Sequence, residues 1–333
     1  MTRFAERVLR DGCASAHALA DDSGQSAPMA VCALTHDNAL RVRFWGTRGS
    51  TPVSGPEFLR FGGNTPCVEI RCGKRLFVVD AGTGLPFFGA SPEAELPSEI
   101  DILLSHFHLD HIGGLPFFKP AILDPGCTIH TWTGHLDGGD ARDPLDRVFS
   151  PPTFPLQLDS LPARFVHHGF KAGEPLTFRD GMVVRTHPLN HPGGATAYRF
   201  DHGGRAVCYV SDLEHRDPWP DPGLAAFVQD ADLVIYDGMF SSQEYQPCQG
   251  WGHSTWEKGV ELCQAAGVKA LAIFHLYPGH DDDLLLAREA EIQKVMPSAF
   301  IPCDRQAVAY HPICMRDSDS LADATGRLKV ANG

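Results

Sequence analysis

The chain has 333 residues, of which 43% are hydrophobic and 21% are charged, a composition that can bury a large core. With 28 basic and 41 acidic side chains, the formal net charge is −13, which disfavours nucleic-acid binding through clustered cations. No apolar run reaches the length of about 18 residues that a membrane span needs, and the first ten residues carry charges where a signal peptide is apolar. Ten scattered cysteines without a Cys-x-x-Cys pair indicate reduced thiols. We therefore expect a cytoplasmic protein that associates with no membrane and has no stable nucleic-acid partner. A homodimer is compatible with these observations.

The hydrophobic pattern divides the chain into an N-terminal extension (residues 1–39), one domain (40–315) and a polar tail (316–333). In the first half of the domain, alternating or continuous apolar runs predict strands at 40–45, 67–72, 75–79 and 100–104. Residues 114–175 are rich in proline and glycine and predict an irregular, lid-like insertion.

The second half of the domain repeats this style. Its apolar runs predict strands at 182–186, 195–200, 206–210, 233–236, 269–274, 300–303 and 307–310. Amphipathic patterns with Ser or Asp at their start predict helices at 254–266 and 281–295. Strand-rich halves with helices between them indicate a layered α/β architecture with two sheets inside.

The strongest chemical signal directly follows the strand at 100–104. Three histidines and one carboxylate stand within six residues, namely His106, His108, Asp110 and His111. A loop that leaves a strand end can point alternate side chains into one cavity, so His106 and His108 can share one metal while the other two face a second. The alternative is a polar loop with local hydrogen bonds. Burying unpaired polar groups costs a few kcal/mol each, so the pattern favours metal binding.

The motif His-x-His-x-Asp-His after a strand resembles that of metallo-β-lactamase-fold hydrolases. Three further residues stand in matching contexts, His191 before a proline and Asp212 and His275 at strand ends. The resemblance covers about residues 41–310 and implies an α/β fold, a four-layer αββα sandwich of two mixed β-sheets flanked by helices. It also implies two divalent metal ions per chain, with Zn²⁺ favoured and Mn²⁺ or Fe as alternatives. The implied ligands are His106, His108 and His191 on one metal, Asp110, His111 and His275 on the other, and Asp212 bridging.

Several of these assignments have local rivals. His187 could replace His191, although it lies nearer the strand than the ligand of the family does. Asp80 follows a strand and either caps a turn or, as the resemblance implies, orients a ligand histidine by a hydrogen bond. His280 could reach the mouth of the cavity. Five further histidines of the domain are interpreted as solvated or surface residues, namely His130, His135, His167, His168 and His215.

The segment Gly-His253-Ser-Thr, before the helix at 254–266, is similar to an element of the ribonuclease Z branch. This similarity implies that His253 contacts the scissile phosphate and assists the leaving group, and that Asp237 orients it. The glycine-rich turns at 46–50 and 62–65 resemble those of small phosphodiesterases for cyclic nucleotides and cyclic phosphates. Such turns let backbone amides approach an anion. The substrate contacts predicted from these segments are Arg48, Asn64 and Ser254, with a surface salt bridge as the alternative role of Arg48.

The function predicted from these residues is hydrolysis of a small phosphodiester, a cyclic nucleotide or cyclic phosphate, by a metal-bridging hydroxide. Asp110 would both bind metal and orient the nucleophile. Three alternatives remain: a ribonuclease Z-like endonuclease on tRNA precursors, a thioester or lactam hydrolase, and a non-catalytic, metal-stabilised nucleotide-binding protein. The acidic charge and the lack of a long basic excursion favour a small substrate.

Overall fold

The computed structural model describes residues 38–313, so the predicted extension and tail lie almost entirely outside the described residues. The strands in chain order are β1 (Leu40–Gly46), β2 (Cys67–Cys72), β3 (Arg75–Val79), β4 (Glu99–Leu104), β5 (Thr128–Thr133), β6 (Arg164–Gly169), β7 (Leu176–Thr177), β8 (Val183–Leu189), β9 (Ala195–His202), β10 (Arg205–Val210), β11 (Leu233–Asp237), β12 (Leu271–Phe274), β13 (Ala299–Phe300) and β14 (Ala307–Tyr310).

These strands form two mixed sheets of seven strands each. The order in the first sheet is β14-β1-β2-β3-β4-β5-β6, and in the second it is β13-β12-β11-β10-β9-β8-β7. Strands β3 to β6 run parallel, as do β10 to β13, whereas the other neighbours are antiparallel. Parallel neighbours end at the same edge of a sheet, so the loops after them lie side by side.

The α-helices cover the outer faces of the two sheets. They are α1 (Leu85–Ala90), α2 (Leu109–Ile112), α3 (Lys119–Leu123), α4 (Arg142–Val148), α5 (Pro222–Val228), α6 (Ser242–Tyr245), α7 (Trp256–Ala265) and α8 (Asp282–Val295). The longest of these helices, α8, is capped at its start by Asp281, whose carboxylate accepts a hydrogen bond from Leu284 N at 2.8 Å. Such a cap satisfies an amide that has no partner within the helix.

Three buried apolar clusters separate the layers. One lies between the two sheets and joins side chains such as Phe44 and Phe77 with Phe200 and Phe274. The second packs the first sheet against its helices, and the third packs α7 and α8 on the second sheet. The predicted four-layer αββα sandwich is therefore confirmed.

The segment 114–175 is more regular than the sequence indicated. Its strands β5 and β6 extend the first sheet in parallel register from β4. In β5 every second residue is buried, because Ile129, Thr131 and Thr133 point to one face. The polar residues between them and the surrounding proline and glycine hid this pattern. The irregular, lid-like description therefore fails for these two strands.

Within residues 38–313, no helix combines the length and apolar character that crossing a bilayer requires.

Candidate metal centre

Loops after strands of both sheets meet at one edge of the sandwich. The loop after β4 carries His106 and His108, and α2, directly behind it, carries Asp110 and His111. The second sheet contributes the remaining three residues of the predicted ligand set. They are His191 after β8, Asp212 after β10 and His275 after β12.

His106, His108 and His191 form the first group of candidate ligands. Each offers one ring nitrogen, and these nitrogens lie within 4.8 Å of one another. His191 Nε2 is 3.1 Å from His108 Nδ1, and His106 Nε2 is buried without a hydrogen-bond partner. Burial lowers the pKa of His106 well below its usual value, so its ring is neutral and a lone pair is free for a cation.

Asp110, His111 and His275 form the second group, again within 4.8 Å. Asp110 Oδ2 is 3.2 Å from His111 Nε2 and 3.1 Å from His275 Nε2. Burial alone would raise the pKa of Asp110, but the two imidazoles hold it far below its usual range. The same carboxylate oxygen accepts a hydrogen bond from Ser50 N at 2.7 Å.

Asp212 lies between the two groups. Its Oδ2 is 3.2 Å from His111 Nε2, and its Oδ1 is 3.2 Å from His275 Nε2. Oδ1 is also 3.8 Å from the Nε2 atoms of both His106 and His191. Burial raises the pKa of Asp212, but the surrounding imidazoles prevail and hold it well below its usual value. One carboxylate therefore contacts both groups, as a bridging ligand would.

The donor set fits divalent cations. Buried carboxylates and imidazoles are stable only when they are paired or bound to metal, and mixed His/Asp ligation suits Zn²⁺, Mn²⁺ and Fe. Although burial lowers the pKa of His111, the carboxylates Asp212, Asp110 and Asp80 raise it well above its usual value. This excess of negative charge is what bound cations would neutralise.

At three strand ends of this edge, a residue has a backbone conformation that L-residues rarely adopt. The φ angles are 61° at Asp80 and 59° at His275, directly after β3 and β12, and 63° at Asp212, two residues after the end of β10. This left-handed conformation costs about 1–2 kcal/mol for a residue other than glycine. It turns the chain sharply at each strand end, and strain of this kind is typical of functional sites.

Asp80 supports the second group of ligands from behind. Its Oδ2 is 2.8 Å from His111 Nδ1 and accepts hydrogen bonds from Ser105 Oγ at 2.8 Å and Tyr209 OH at 2.7 Å. Its Oδ1 accepts from Ser105 N at 2.7 Å. A proton held on Nδ1 in this way leaves the Nε2 lone pair of His111 directed at the cluster.

His253 and Asp237 lie beside the cluster. His253 Nδ1 is 2.8 Å from Asp237 Oδ2 and 4.0 Å from Asp212 Oδ1. The His253 ring is stacked on that of His275, with centroids 4.7 Å apart. Burial lowers the pKa of His253, but Asp237 outweighs this and raises it to about 9. Asp237 is itself fixed by hydrogen bonds from Leu213 N and Met239 N, both at 3.2 Å.

The three predicted substrate contacts do not line the site. Arg48 is fully buried, and its guanidinium donates to Gly62 O at 2.9 Å and His280 O at 2.6 Å, so it joins two loops. This burial contradicts the surface salt bridge, and the two loop contacts give Arg48 a structural role instead. Ser254 is also fully buried, with its Oγ 2.9 Å from His215 Nδ1.

Asn64 is likewise occupied elsewhere. Its amide donates to Asp304 Oδ2 at 2.8 Å and accepts from Thr83 Oγ1 at 3.3 Å. The glycine-rich turn at 46–50 instead supports the ligands, because Ser50 N donates to Asp110 and a side chain at Gly49 would overlap the His275 ring. The turn at 46–50 therefore positions the ligand cluster. In the turn at 62–65, both the backbone N–H and the side-chain amide of Asn64 donate to Asp304 instead of facing an anion.

The other histidines lie outside the ligand groups. His187 packs on Phe227, with ring centroids 5.3 Å apart, so the structure brings His191 and not His187 to the cluster. His280 is buried and its Nε2 is 2.9 Å from Glu244 Oε1. His135 approaches more closely than a surface residue would, since its ring centroid is 6.5 Å from that of His106.

Two supporting residues were missed from the sequence. Gly252 O accepts a hydrogen bond from His191 Nδ1 at 2.8 Å. Glu214 holds the Gly252 turn, accepting from Gly250 N at 2.6 Å, Gly252 N at 3.0 Å and Tyr245 OH at 2.8 Å. The only sequence signal was the position of Glu214 two residues after Asp212, which does not specify such contacts.

The chain belongs to the β-lactamase superfamily, because the family model for the "Beta-lactamase superfamily domain" matches residues 75–276, more than half of the chain. Its fold and its His/Asp clusters make it a hydrolase of the metallo-β-lactamase type, a fold that implies divalent metal ions.

Known relatives support this placement. Ribonuclease Z of Bradyrhizobium sp. (strain ORS 278) is 24% identical over 314 residues, which cover 78% of this chain and 96% of that protein. The metallo-β-lactamase fold protein YhfI from Bacillus subtilis has a TM-score of 0.61 and 20% identity, covering 82% of this chain and 100% of its own. Human tRNase Z, short form, has a TM-score of 0.57 and 20% identity, and the match covers 82% of this chain and 100% of its own. The two structural likenesses show the fold alone.

Proposed function

We propose that this protein is a dinuclear metal-dependent phosphodiesterase that acts on a small cyclic nucleotide or cyclic phosphate. The observation that carries the proposal is the His253–Asp237 pair, joined at 2.8 Å beside the ligand cluster. A thioester hydrolase on this scaffold would not need such a pair, because a thiolate departs without a proton. The phosphodiester reaction does, because an alkoxide leaving group departs more readily when it receives a proton.

The residues divide the chemistry between them. Two bound divalent cations would lower the pKa of a water molecule and neutralise charge on the phosphate oxygens. Asp110, held by Ser50 N at 2.7 Å, is fixed in position to orient the nucleophile. Asp237 holds the Nδ1 side of His253, which leaves Nε2 to donate to the leaving oxygen.

The acidic charge favours a small substrate over a folded RNA. The net charge of −13 works against neutralising many phosphates at once. The proposal therefore includes no stable nucleic-acid partner. It also includes a cytoplasmic location, which suits the unpaired cysteines of the described residues, among them Cys67, Cys208 and Cys263.

Ribonuclease Z activity on tRNA precursors is the second candidate. The Bradyrhizobium relative carries that name and aligns over 96% of its own length. Tight tRNA binding at physiological salt, together with cleavage at the 3′ end, would establish this candidate and reject the small-substrate proposal.

The decisive experiment compares His253→Ala with the unchanged protein on two kinds of phosphodiester. We expect kcat to fall by about 10²–10⁴ for cyclic phosphates, while both metals remain bound. The loss should be smaller for bis-p-nitrophenyl phosphate, because p-nitrophenolate departs without a proton.

Metal content is the control in this experiment, because His253, Asp237, Asp212 and His275 also have donor atoms within 4.8 Å of one another. Loss of metal from His253→Ala would show that His253 is a ligand. Unchanged turnover of cyclic phosphates would remove the main support for the phosphodiesterase.

A further inference from the structure

Three aromatic rings lie next to one another beside the candidate metal centre. Phe240 lies in the middle, with its ring centroid 6.4 Å from that of Trp251 and 5.8 Å from that of Tyr277. The Phe240 ring is also 6.4 Å from His253. We call Trp251, Phe240 and Tyr277 the aromatic wall.

The aromatic wall is close in sequence to two residues of the site. Trp251 stands two residues before His253, and Tyr277 stands two residues after the ligand His275. The rings of His253 and His275 are themselves stacked at 4.7 Å. The wall therefore continues the side of the site where His253 would meet the leaving group.

The outer rings of the wall are exposed although they are large and apolar. Trp251 is 55% exposed and Tyr277 37%, whereas Phe240 between them is 2% exposed. Each exposed ring also carries a polar group, the indole N–H of Trp251 and the hydroxyl of Tyr277. Two exposed rings on a buried third ring, each with a polar edge, are suited to a planar ligand with polar edges.

We propose that the aromatic wall binds the nucleobase of the substrate, on the leaving-group side of the metal centre. This inference rests on the proposed phosphodiesterase function and adds the place and the chemistry of base recognition. Stacking tolerates every base because each has a π-face, so the wall would favour nucleotides over base-free phosphodiesters with little choice among bases.

The test compares a nucleotide with a base-free substrate. For Trp251→Ala we expect KM for adenosine 2′,3′-cyclic phosphate to rise about 5- to 150-fold with kcat nearly unchanged, the range typical of one lost base stack. Turnover of glycerol 1,2-cyclic phosphate should stay the same, and Trp251→Phe should recover most of the loss. Phe87→Ala is the matched control, since Phe87 is 48% exposed on α1 and is not part of the wall.

Two results would overturn the inference. One is an equal loss for both substrates, which would make Trp251 a structural residue. The other is an unchanged KM in Trp251→Ala; a raised KM in Leu109→Ala would then place the base beside Leu109, which begins α2 and is 65% exposed.

Binding of product-like ligands separates this inference from the proposed function. Adenosine 5′-monophosphate should bind more tightly than ribose 5-phosphate to the metal-loaded protein, and Trp251→Ala should abolish the difference. This result without any phosphodiester turnover would reject the proposed function and keep the nucleobase surface. Equal affinity for both ligands in the unchanged protein would reject the surface itself.

Discussion

Gly252 allows the sharpest test of how the first group of ligands is held. Its φ is +93°, and a Cβ at this position would overlap the Pro192 ring and lie 2.5 Å from His191 Nδ1. Real Cβ contacts are close to 3.4 Å or longer, so in Gly252→Ala the His191 ring must shift by about 1 Å. This shift would break the hydrogen bond from His191 Nδ1 to Gly252 O, which is 2.8 Å long.

Gly250→Ala is the matched control in the same turn. The φ of Gly250 is +90°, nearly the same, but nothing lies within 4 Å of the added Cβ. Both variants therefore have the same backbone strain, about 1–2 kcal/mol. Only Gly252→Ala also displaces a candidate metal ligand, and loss of such a supporting hydrogen bond typically weakens metal binding about 10- to 100-fold.

The assay is chelator competition on both metal-loaded variants, together with unfolding of the metal-free proteins. We expect Gly250→Ala to keep the affinity for both metals and to lose about 1–2 kcal/mol of stability. Gly252→Ala should lose one metal at chelator concentrations that the control withstands. If the two variants hold metal equally well, the Gly252 carbonyl does not position His191 and the reasoning is wrong.

Three further predictions concern other residues of the described part of the chain. Asp212→Ala should bind fewer than two metals, measured by elemental analysis, because Asp212 contacts both ligand groups; full occupancy would contradict the bridging assignment. Tyr209→Phe should lower the free energy of unfolding by about 1.5–3 kcal/mol with metal retained, since it removes one hydrogen bond to the Asp80 carboxylate and leaves the ring in place. Burial raises the pKa of Asp304 to about 6, above the usual value in an unfolded chain, so the folded state binds this proton more tightly. Its contribution to stability is therefore present below about pH 4 and is lost as pH rises through about 6, by up to about 3 kcal/mol. The check is the free energy of unfolding in urea at pH 5 and at pH 8, and Asp304→Asn should reduce the difference between these two values. If this difference is the same in the variant and the unchanged protein, another group titrates.

Local patterns in the sequence predicted a layered α/β fold and the metal-binding run after the fourth strand, whereas the four-layer form and the ligand roles of His191, Asp212 and His275 were implied by the family resemblance. His106, His108, Asp110 and His111 stand in one short run directly after a buried strand. Parallel strands then bring loops such as the one with Asp212 to the same edge.

The substrate contacts could not be predicted in the same way. The burial of Arg48 depends on His280, whose carbonyl oxygen is 232 residues away along the chain. Ser254 is covered by His215 and Tyr236, whose positions no pattern around Ser254 indicates. Strands β5 and β6 were missed because polar side chains such as His130 and His168 interrupt their apolar pattern.

Each ligand group takes members from both sheets, and this has a consequence for how the protein resists unfolding. His106 and His108 belong to the first sheet and His191 to the second, and the other group is divided in the same way between His111 and His275. A cation bound by either group therefore links the two sheets across the inner apolar layer. The sandwich cannot open along that layer without releasing the cation. The free energy needed to separate the two sheets accordingly increases with the logarithm of the free metal concentration. The stability of the packing between the sheets therefore depends on metal supply as well as on apolar contacts.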